Sequence, residues 1–263
     1  MFINLSNHPS AGWPARELES AAVCGDITNI PFPAIKAESS EEEVLRLAVE
    51  YLKKIPNPAN DIPANNSDAV MVTGEYSFVY AIVDALLDKG CRVVCPESEV
   101  KVTNTPGPNG AMERKLVFDF RRFVDYSRYP GELKPVTAHQ PVFLNCSMHY
   151  ASSGWDERAR TLAEEYGQVR DFPITPLTGT DRERFEKAEG YLKEIDRISP
   201  SAVLLDGEFF TFYMMANALI RKGYTVLVKC SDRNTVEQQN ADGTVTKVTQ
   251  YRFVRYRKVT GIT

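Results

Sequence analysis

The sequence predicts an α/β protein built as two tandem copies of one unit, each a mainly parallel sheet with helices on both faces and a β-hairpin at its end. Three observations carry this. The opening stretch "MFINLSNHPS" is nearly rewritten as "VFLNCSMHYA", so Phe2, Asn4, Ser6 and His8 match Phe143, Asn145, Ser147 and His149. A second block, "TGEYSFVYAIVDALLDKG" at 73–90, matches "DGEFFTFYMMANALIRKG" at 206–223. In each copy short apolar runs alternate with longer runs at helical spacing, which implies parallel strands joined by right-handed crossovers. Each copy is therefore Rossmann-like, and the pair is expected to associate as a pseudo-dimer within one chain.

The elements follow in the same order in both copies. Strand one is 2–5 or 142–146, and the first helix begins near Trp13 or Trp155, with Asp156 as a cap in the second copy. A short second strand ends in proline, at 27–33 or 169–174. The stretch "SSEEEVLRLAVEYLKKI" at 39–55 places Ser before a run of Glu and then apolar residues at helical spacing, a helix start. Strand three is 68–73 or 201–206, followed by a glycine and a helix that is apolar on nearly all sides and so belongs in the interior. Strand four is 91–95 or 224–229, and the last two segments of each copy pair as a hairpin turning at "PNG" (108–110) or "DG" (242–243). Between the copies, "SRYPGELKPVTAHQP" at 127–141 has three prolines and no apolar period. The domains are thus 1–128, a linker 129–140, and 141–263.

Composition sets limits. The 263 residues carry a net charge of −4, and a surface for duplex nucleic acid is normally visibly basic. The first 130 residues hold 13 Lys and Arg against 18 Asp and Glu; the remainder hold 18 against 17, which makes the second half the better home for a phosphate. Five scattered cysteines form no C-x-x-C pair and no metal-ligand spacing. No run approaches the roughly 18 apolar residues of a membrane span, and no secretory leader pattern opens the chain. The expectation is a cytoplasmic protein with no metal, no cofactor and no membrane partner. Neither copy has G-x-G-x-x-G, which argues against a dinucleotide.

In open α/β sheets ligands bind beyond the carboxyl ends of the strands. The repeated polar residues converge there: Ser6, Asn7 and His8 after strand one, Gly74 and Glu75 after strand three, and Ser98 after strand four. The second copy supplies Ser147, His149, Gly207, Glu208, Ser231 and Arg233. Each has a plain alternative. An Asn–Ser pair turns a chain or caps a helix, Glu in a first turn complements the helix dipole, and Gly before a helix allows close packing. The same exposed amides seat phosphate. His8 and His149, two of the three histidines, are candidates for proton transfer, and the tryptophans for packing. In "QYRFVRYRKV" (250–259) the charge reads mostly as solvated edge, but Arg255 matches Arg122 in the first copy, and that pair is a candidate for phosphate contact.

The strand-one loop, the glycine opening a buried helix, and "CSDRNTVEQQNADGTVTKVTQYRFVRY" (230–256) together resemble the ring-nuclease group of CRISPR-associated proteins, relatives of the CARF sensor domains of type III CRISPR systems. The Ser-x-Arg, Glu, Asp-Gly and Phe-x-x-aromatic order is the specific part. The resemblance implies a ligand, cyclic oligoadenylate with cyclic tetra-adenylate foremost, bound between two CARF-like units. It implies cleavage without metal, a ribose 2′-hydroxyl attacking the adjacent phosphorus to leave a 2′,3′-cyclic phosphate. By that analogy Arg233 and Arg255 supply positive charge, His149 or His8 moves a proton, and Ser6, Asn7, Gly74, Glu75, Ser98, Arg122, Ser147, Gly207, Glu208 and Ser231 hold the ring. Copy one departs from the pattern: Val100 stands opposite Arg233. The alternatives are a sensor or sponge that binds without cutting, and an interaction module with no ligand.

Overall fold

The computed structural model describes residues 1–56, 68–106, 112–239 and 245–262. Its two five-stranded sheets have one topology. Strands β1 (Phe2–Ser6), β2 (Ile27–Pro31), β3 (Ala69–Val72), β4 (Val93–Pro106) and β5 (Met112–Asp125) lie in the order β2-β1-β3-β4-β5. Strands β6 (Gln140–Asn145), β7 (Gln168–Asp171), β8 (Pro200–Leu204), β9 (Thr225–Gln239) and β10 (Val245–Lys258) repeat it as β7-β6-β8-β9-β10. Four strands in each sheet are parallel, and the fifth returns antiparallel. Register repeats as well, with Phe2 opposite Ala69 and Phe143 opposite Ala202. The fold is two tandem Rossmann-like units.

Helices α1 (Ala15–Ala22), α2 (Glu41–Leu52) and α3 (Tyr76–Asp88) belong to the first copy, and α4 (Ala151–Gly154), α5 (Glu157–Glu164), α6 (Asp181–Ile198) and α7 (Phe209–Arg221) to the second. Their starts are written locally. The Ser40 hydroxyl accepts from the Glu43 amide while the Glu43 carboxylate accepts from the Ser40 amide, and Thr180 with Glu183 closes the same box on α6. Asp156 accepts from the Ala159 amide at 2.7 Å, as its place in the sequence suggests. Helix α7 is buried continuously from Phe210 to Leu219, which its all-round apolar pattern requires.

Trp13 meets Phe2 edge-on at 6.0 Å, and Trp155 meets Phe143 at 5.8 Å, so both tryptophans anchor the first helix to strand one. Residues 129–139 of the linker form no regular element but are fastened at Val136, whose amide donates to Lys222, and at Ala138, whose carbonyl accepts from the Ser199 hydroxyl, and Gln140, already in β6, donates its amide to Ser199.

One boundary differs from the sequence reading. Strand four does not stop at 95 or 229; it runs on as the first arm of the hairpin, so Ser98, Ser231 and Arg233 are ladder residues rather than loop residues. Among the described residues only β5 pairs with β4 beyond Val94, and Pro96, just past the expected strand end, is tolerated in such a half-paired ribbon. Both hairpins bulge at the same repeat position, between Phe120 and Arg122 and between Phe253 and Arg255. The expected turns at 108–110 and 242–243 lie outside the described residues.

By compactness the chain forms two units: Met1–Phe32, Tyr51–Gly74 and Ile82–Tyr126 in the first, and Pro33–Glu50, Glu75–Ala81 and Ser127–Thr263 in the second. The second unit thus combines residues from both sequence repeats. Among the described residues no helix is long and apolar enough to cross a membrane.

Candidate functional site

The repeated motif is a hydrogen-bonded lock on one backbone carbonyl. In the second unit the amide nitrogen of Asn145, fully buried, donates to the His149 carbonyl at 2.9 Å and to Asp171 Oδ1 at 2.7 Å. The Ser147 hydroxyl donates to Asn145 Oδ1 at 2.7 Å and lies 3.2 Å from the same carbonyl, while Trp155 Nε1 donates to it at 3.1 Å. The first unit repeats this bond for bond: Asn4 to the His8 carbonyl and Asn29, Ser6 to Asn4, Trp13 Nε1 to the His8 carbonyl at 3.0 Å. Asn29 and Asp171 also accept from the amides of Ser10 and Ala151, which ties strand two to the loop. These two were missed by the sequence reading, although they match each other at the repeat spacing.

For Ser6 and Ser147 the turn-closing role is therefore the one the geometry displays. The histidines contribute only backbone groups to the lock, their carbonyls and the amides that donate to Ser6 and Ser147 Oγ at 3.1 and 3.2 Å, which any residue type but proline supplies. Their side chains are exposed, as are Asn7 in the first loop and Met148 and Tyr150 in the second, the last two at 54% and 45%.

The glycine–glutamate pairs open their helices. Glu208 caps α7, accepting from the amides of Phe210 and Thr211 and from the Thr211 hydroxyl. Glu75 caps α3, accepting from the Phe78 amide and the Ser77 hydroxyl. Gly207 and Gly74 sit at φ +128° and +153°, and at Gly74 a Cβ would fall 2.3 Å from the Phe32 ring, so the first glycine serves packing. The Gly207 amide donates to Asp206 at 2.7 Å, and the Tyr76 hydroxyl donates to the Gly207 carbonyl at 2.5 Å. Burial first, and Asp206 nearby second, push the Tyr76 phenol upward, so it remains a donor at neutral pH. The phosphate seat read into this loop is thus engaged by protein groups at Gly207.

The arginines are paired. Arg122 Nε meets Glu97 at 2.6 Å, and Arg255 Nη2 meets both oxygens of Glu41 at 2.8 and 3.1 Å. Ser98 is exposed beside Glu97, and Ser231 is half-buried opposite Phe253. The backbone of Arg233 lies opposite Tyr251.

Arg257 corrects the reading of the last strand as solvated edge: it is 1% exposed. Its Nε donates to the Ser39 carbonyl at 3.0 Å, Nη1 to Glu75 at 3.0 Å and the Ser77 hydroxyl at 3.5 Å, and Nη2 to the carbonyls of Lys36 and Ala37 at 2.9 and 3.1 Å. All five N–H groups of the guanidinium are used, which satisfies a charge that burial alone makes very costly. Its counterpart in the first copy is Val124, so no repeat match flags it. Next to this network a cleft of about 600 Å³ lies between the segment 34–39 and α2, lined by Ile35, Lys36 and Glu38 on one side and Val44, Arg46 and Leu47 on the other. It includes none of the residues selected from the sequence.

Among the described residues no three His, Cys, Asp or Glu side chains gather as a metal site. All five cysteines are free and buried, and desolvation pushes the Cys230 thiol up to about 12, so it holds no thiolate for nucleophilic work near neutral pH. Dithiothreitol is accordingly expected to leave the melting temperature unchanged, and a fall on its addition would reveal a disulfide.

Comparison with curated proteins gives no match. A family model described as "Uncharacterized protein MJ1673 family" matches residues 1–124 and 149–257, that is, both copies with the linker and the second strand-one segment left between them. The chain, tandem in sheet topology, register and loop lock alike, belongs to the uncharacterized protein MJ1673 family.

Proposed function

We propose that this protein binds a cyclic oligoadenylate, cyclic tetra-adenylate foremost, at the loops beyond the carboxyl ends of its sheets. It cleaves the ring without metal, and so acts in the cytoplasm to switch off type III CRISPR signalling. One observation supports the reading above others: the lock uses only backbone groups of His8 and His149, their carbonyls and amides, yet both copies carry histidine there with the imidazole exposed. Exposed Tyr150 beside His149 gives adenine an aromatic face to stack on, worth about 1–3 kcal/mol per base, with exposed Met148 next to it as apolar surface. In the proposed reaction a ribose 2′-hydroxyl attacks phosphorus in line, the P–O5′ bond breaks, and a proton passes from the 2′-oxygen to the departing 5′-oxygen with His149 or His8 as carrier. Arg233 neutralises the phosphorane.

The sensor or sponge reading is favoured by a different observation, the pairing of Arg122 with Glu97 and of Arg255 with Glu41. Cations already held by carboxylates are poorly placed to gain charge interaction only in the transition state.

Pure protein mixed with cyclic tetra-adenylate in EDTA separates these readings. Linear products ending in 2′,3′-cyclic phosphate support cleavage, tight binding without product supports the sensor, and neither binding nor product overturns both. Loss of one charged contact to the phosphorane costs about 2–4 kcal/mol. Arg233→Ala is therefore expected to slow turnover roughly 30- to 1,000-fold at about 1.4 kcal/mol per tenfold. Val100→Ala should change little. His149→Ala should slow cleavage more than it weakens binding. Turnover of Arg233→Ala equal to wild type would remove that residue from the mechanism.

A further inference from the structure

We propose that Arg257 is a clamp that couples the Glu75 carboxylate to the turn Lys36–Ser39 and thereby holds one wall of the adjacent cleft. The inference concerns the free protein and rests on no part of the ring-binding reading.

Among the described residues the turn has no backbone–backbone bond to a strand or a helix. Its one internal backbone bond runs from the Ser39 amide to the Lys36 carbonyl at 3.2 Å. Three of its carbonyls, those of Lys36, Ala37 and Ser39, converge on the guanidinium instead. A turn that points several carbonyls at one spot is a cradle for a cation, and the flat, rigid fork of arginine reaches all three while still presenting Nη1 to Glu75. The carboxylate in turn is fixed by the Phe78 amide at 3.0 Å and the Ser77 hydroxyl at 2.6 Å at the head of α3. A continuous path thus runs from the first turn of α3 through the guanidinium to the turn Lys36–Ser39, the strap that forms this wall. Lys36 and Ser39, the residues whose carbonyls are gripped from behind, also line the cleft that faces α2. The position of that wall relative to α2 is set by Arg257, because Ala37 is the one buried side chain among residues 36–39.

The coupling makes a demand that a purely local helix cap does not. Glu75→Gln keeps an oxygen for the Phe78 amide but removes the charge facing Arg257, and it touches no atom of the strap. Amide hydrogen exchange on the full-length wild type, Glu75→Gln and Arg257→Lys decides the matter. Lysine keeps a positive charge but cannot reach three carbonyls and a carboxylate from one nitrogen. Loss of a charged hydrogen bond is expected to speed exchange of the Ser39 amide roughly tenfold in Glu75→Gln, and further in Arg257→Lys. The Leu205 amide, which donates to Leu227 in the sheet, should keep its wild-type rate. An unchanged Ser39 rate in Glu75→Gln overturns the coupling. Equal acceleration at Ser39 and Leu205 also overturns it, since that pattern reports general unfolding and no clamp.

Discussion

Replacing Arg257 with methionine is expected to destabilise the second unit by about 3–5 kcal/mol, the range found when one member of a buried ion pair is removed. At roughly 2–4 °C per kcal/mol for a domain of this size, its melting midpoint should fall by about 6–20 °C. Methionine reproduces the unbranched apolar stem of arginine out to about the Nε position and carries no hydrogen-bond donor, so the loss reports chiefly on the guanidinium. Five acceptors lose their donor: the Glu75 carboxylate, the Ser77 hydroxyl and the carbonyls of Lys36, Ala37 and Ser39. A second change tells the contributions apart. If the cost were mainly the stranded carboxylate, Glu75→Gln on top of Arg257→Met would restore most of the stability. Because three carbonyls remain unpaired, the double variant should recover less than half. The measurement is a double-mutant cycle by thermal or urea unfolding, with the second unit's transition followed separately from the first. A loss below about 1 kcal/mol in Arg257→Met would mean that water replaces the guanidinium at little cost.

Arg257 also shows why part of this molecule was hidden in its sequence. Because each copy could be read against the other, much of what both share was legible: the succession of strands and helices along the chain, the interior helices α3 and α7, the tryptophan anchors and the polar loops after strands one and three. What only one copy carries received no such support. Val124 stands where Arg257 does, and the segment Lys36–Ser39 that receives its hydrogen bonds lies about 220 residues away by number, beyond any local signal. Alternation of aromatics with Arg252, Arg255, Arg257 and Lys258 resembles a solvated edge because strand pattern records which face a side chain takes and not what lies over that face.

The candidate site divides along a similar line. Convergence of the polar residues at the carboxyl ends of the strands follows from topology, and Ser6, Ser147, Glu75 and Glu208 are where it puts them. Their hydrogen-bond partners are decided by tertiary contacts: Asn29 and Asp171 from strand two, and Tyr76 at Gly207. Ser98, Ser231 and Arg233 were displaced from loop to ladder because composition alone does not show where a strand leaves its sheet and continues as a ribbon. The charge partners Glu97 and Glu41 were likewise invisible, one across a hairpin and one on α2.

Loss of the Asn145 side chain should have the other large effect, and here the repeat supplies its own control. Asn145 is fully buried and joins strand one, the loop and strand two through the His149 carbonyl, Asp171 and the Ser147 hydroxyl. Asn145→Ala strands at least two of these partners, at about 1–3 kcal/mol for each buried group left unpaired, and opens a small cavity as well. A destabilisation of roughly 3–5 kcal/mol is expected for the second unit. Ser147→Ala leaves the carbonyl to Asn145 and Trp155 but also removes the acceptor of the part-buried His149 amide, and should cost about 1–2 kcal/mol. Trp155→Phe keeps the ring packing against Phe143 and gives up one donor, for a similar small loss. His149→Ala leaves every bond of the lock in place, because only its backbone carbonyl and amide take part, and should leave stability unchanged. The ordering Asn145, then Ser147 and Trp155, then His149 separates the buried half of the motif from its exposed half. Unfolding by urea of the four variants tests it, and Asn4→Ala should repeat the Asn145 result in the first unit. A destabilised His149→Ala would show that the imidazole itself is structural, and would withdraw the observation on which the proposed chemistry chiefly rests.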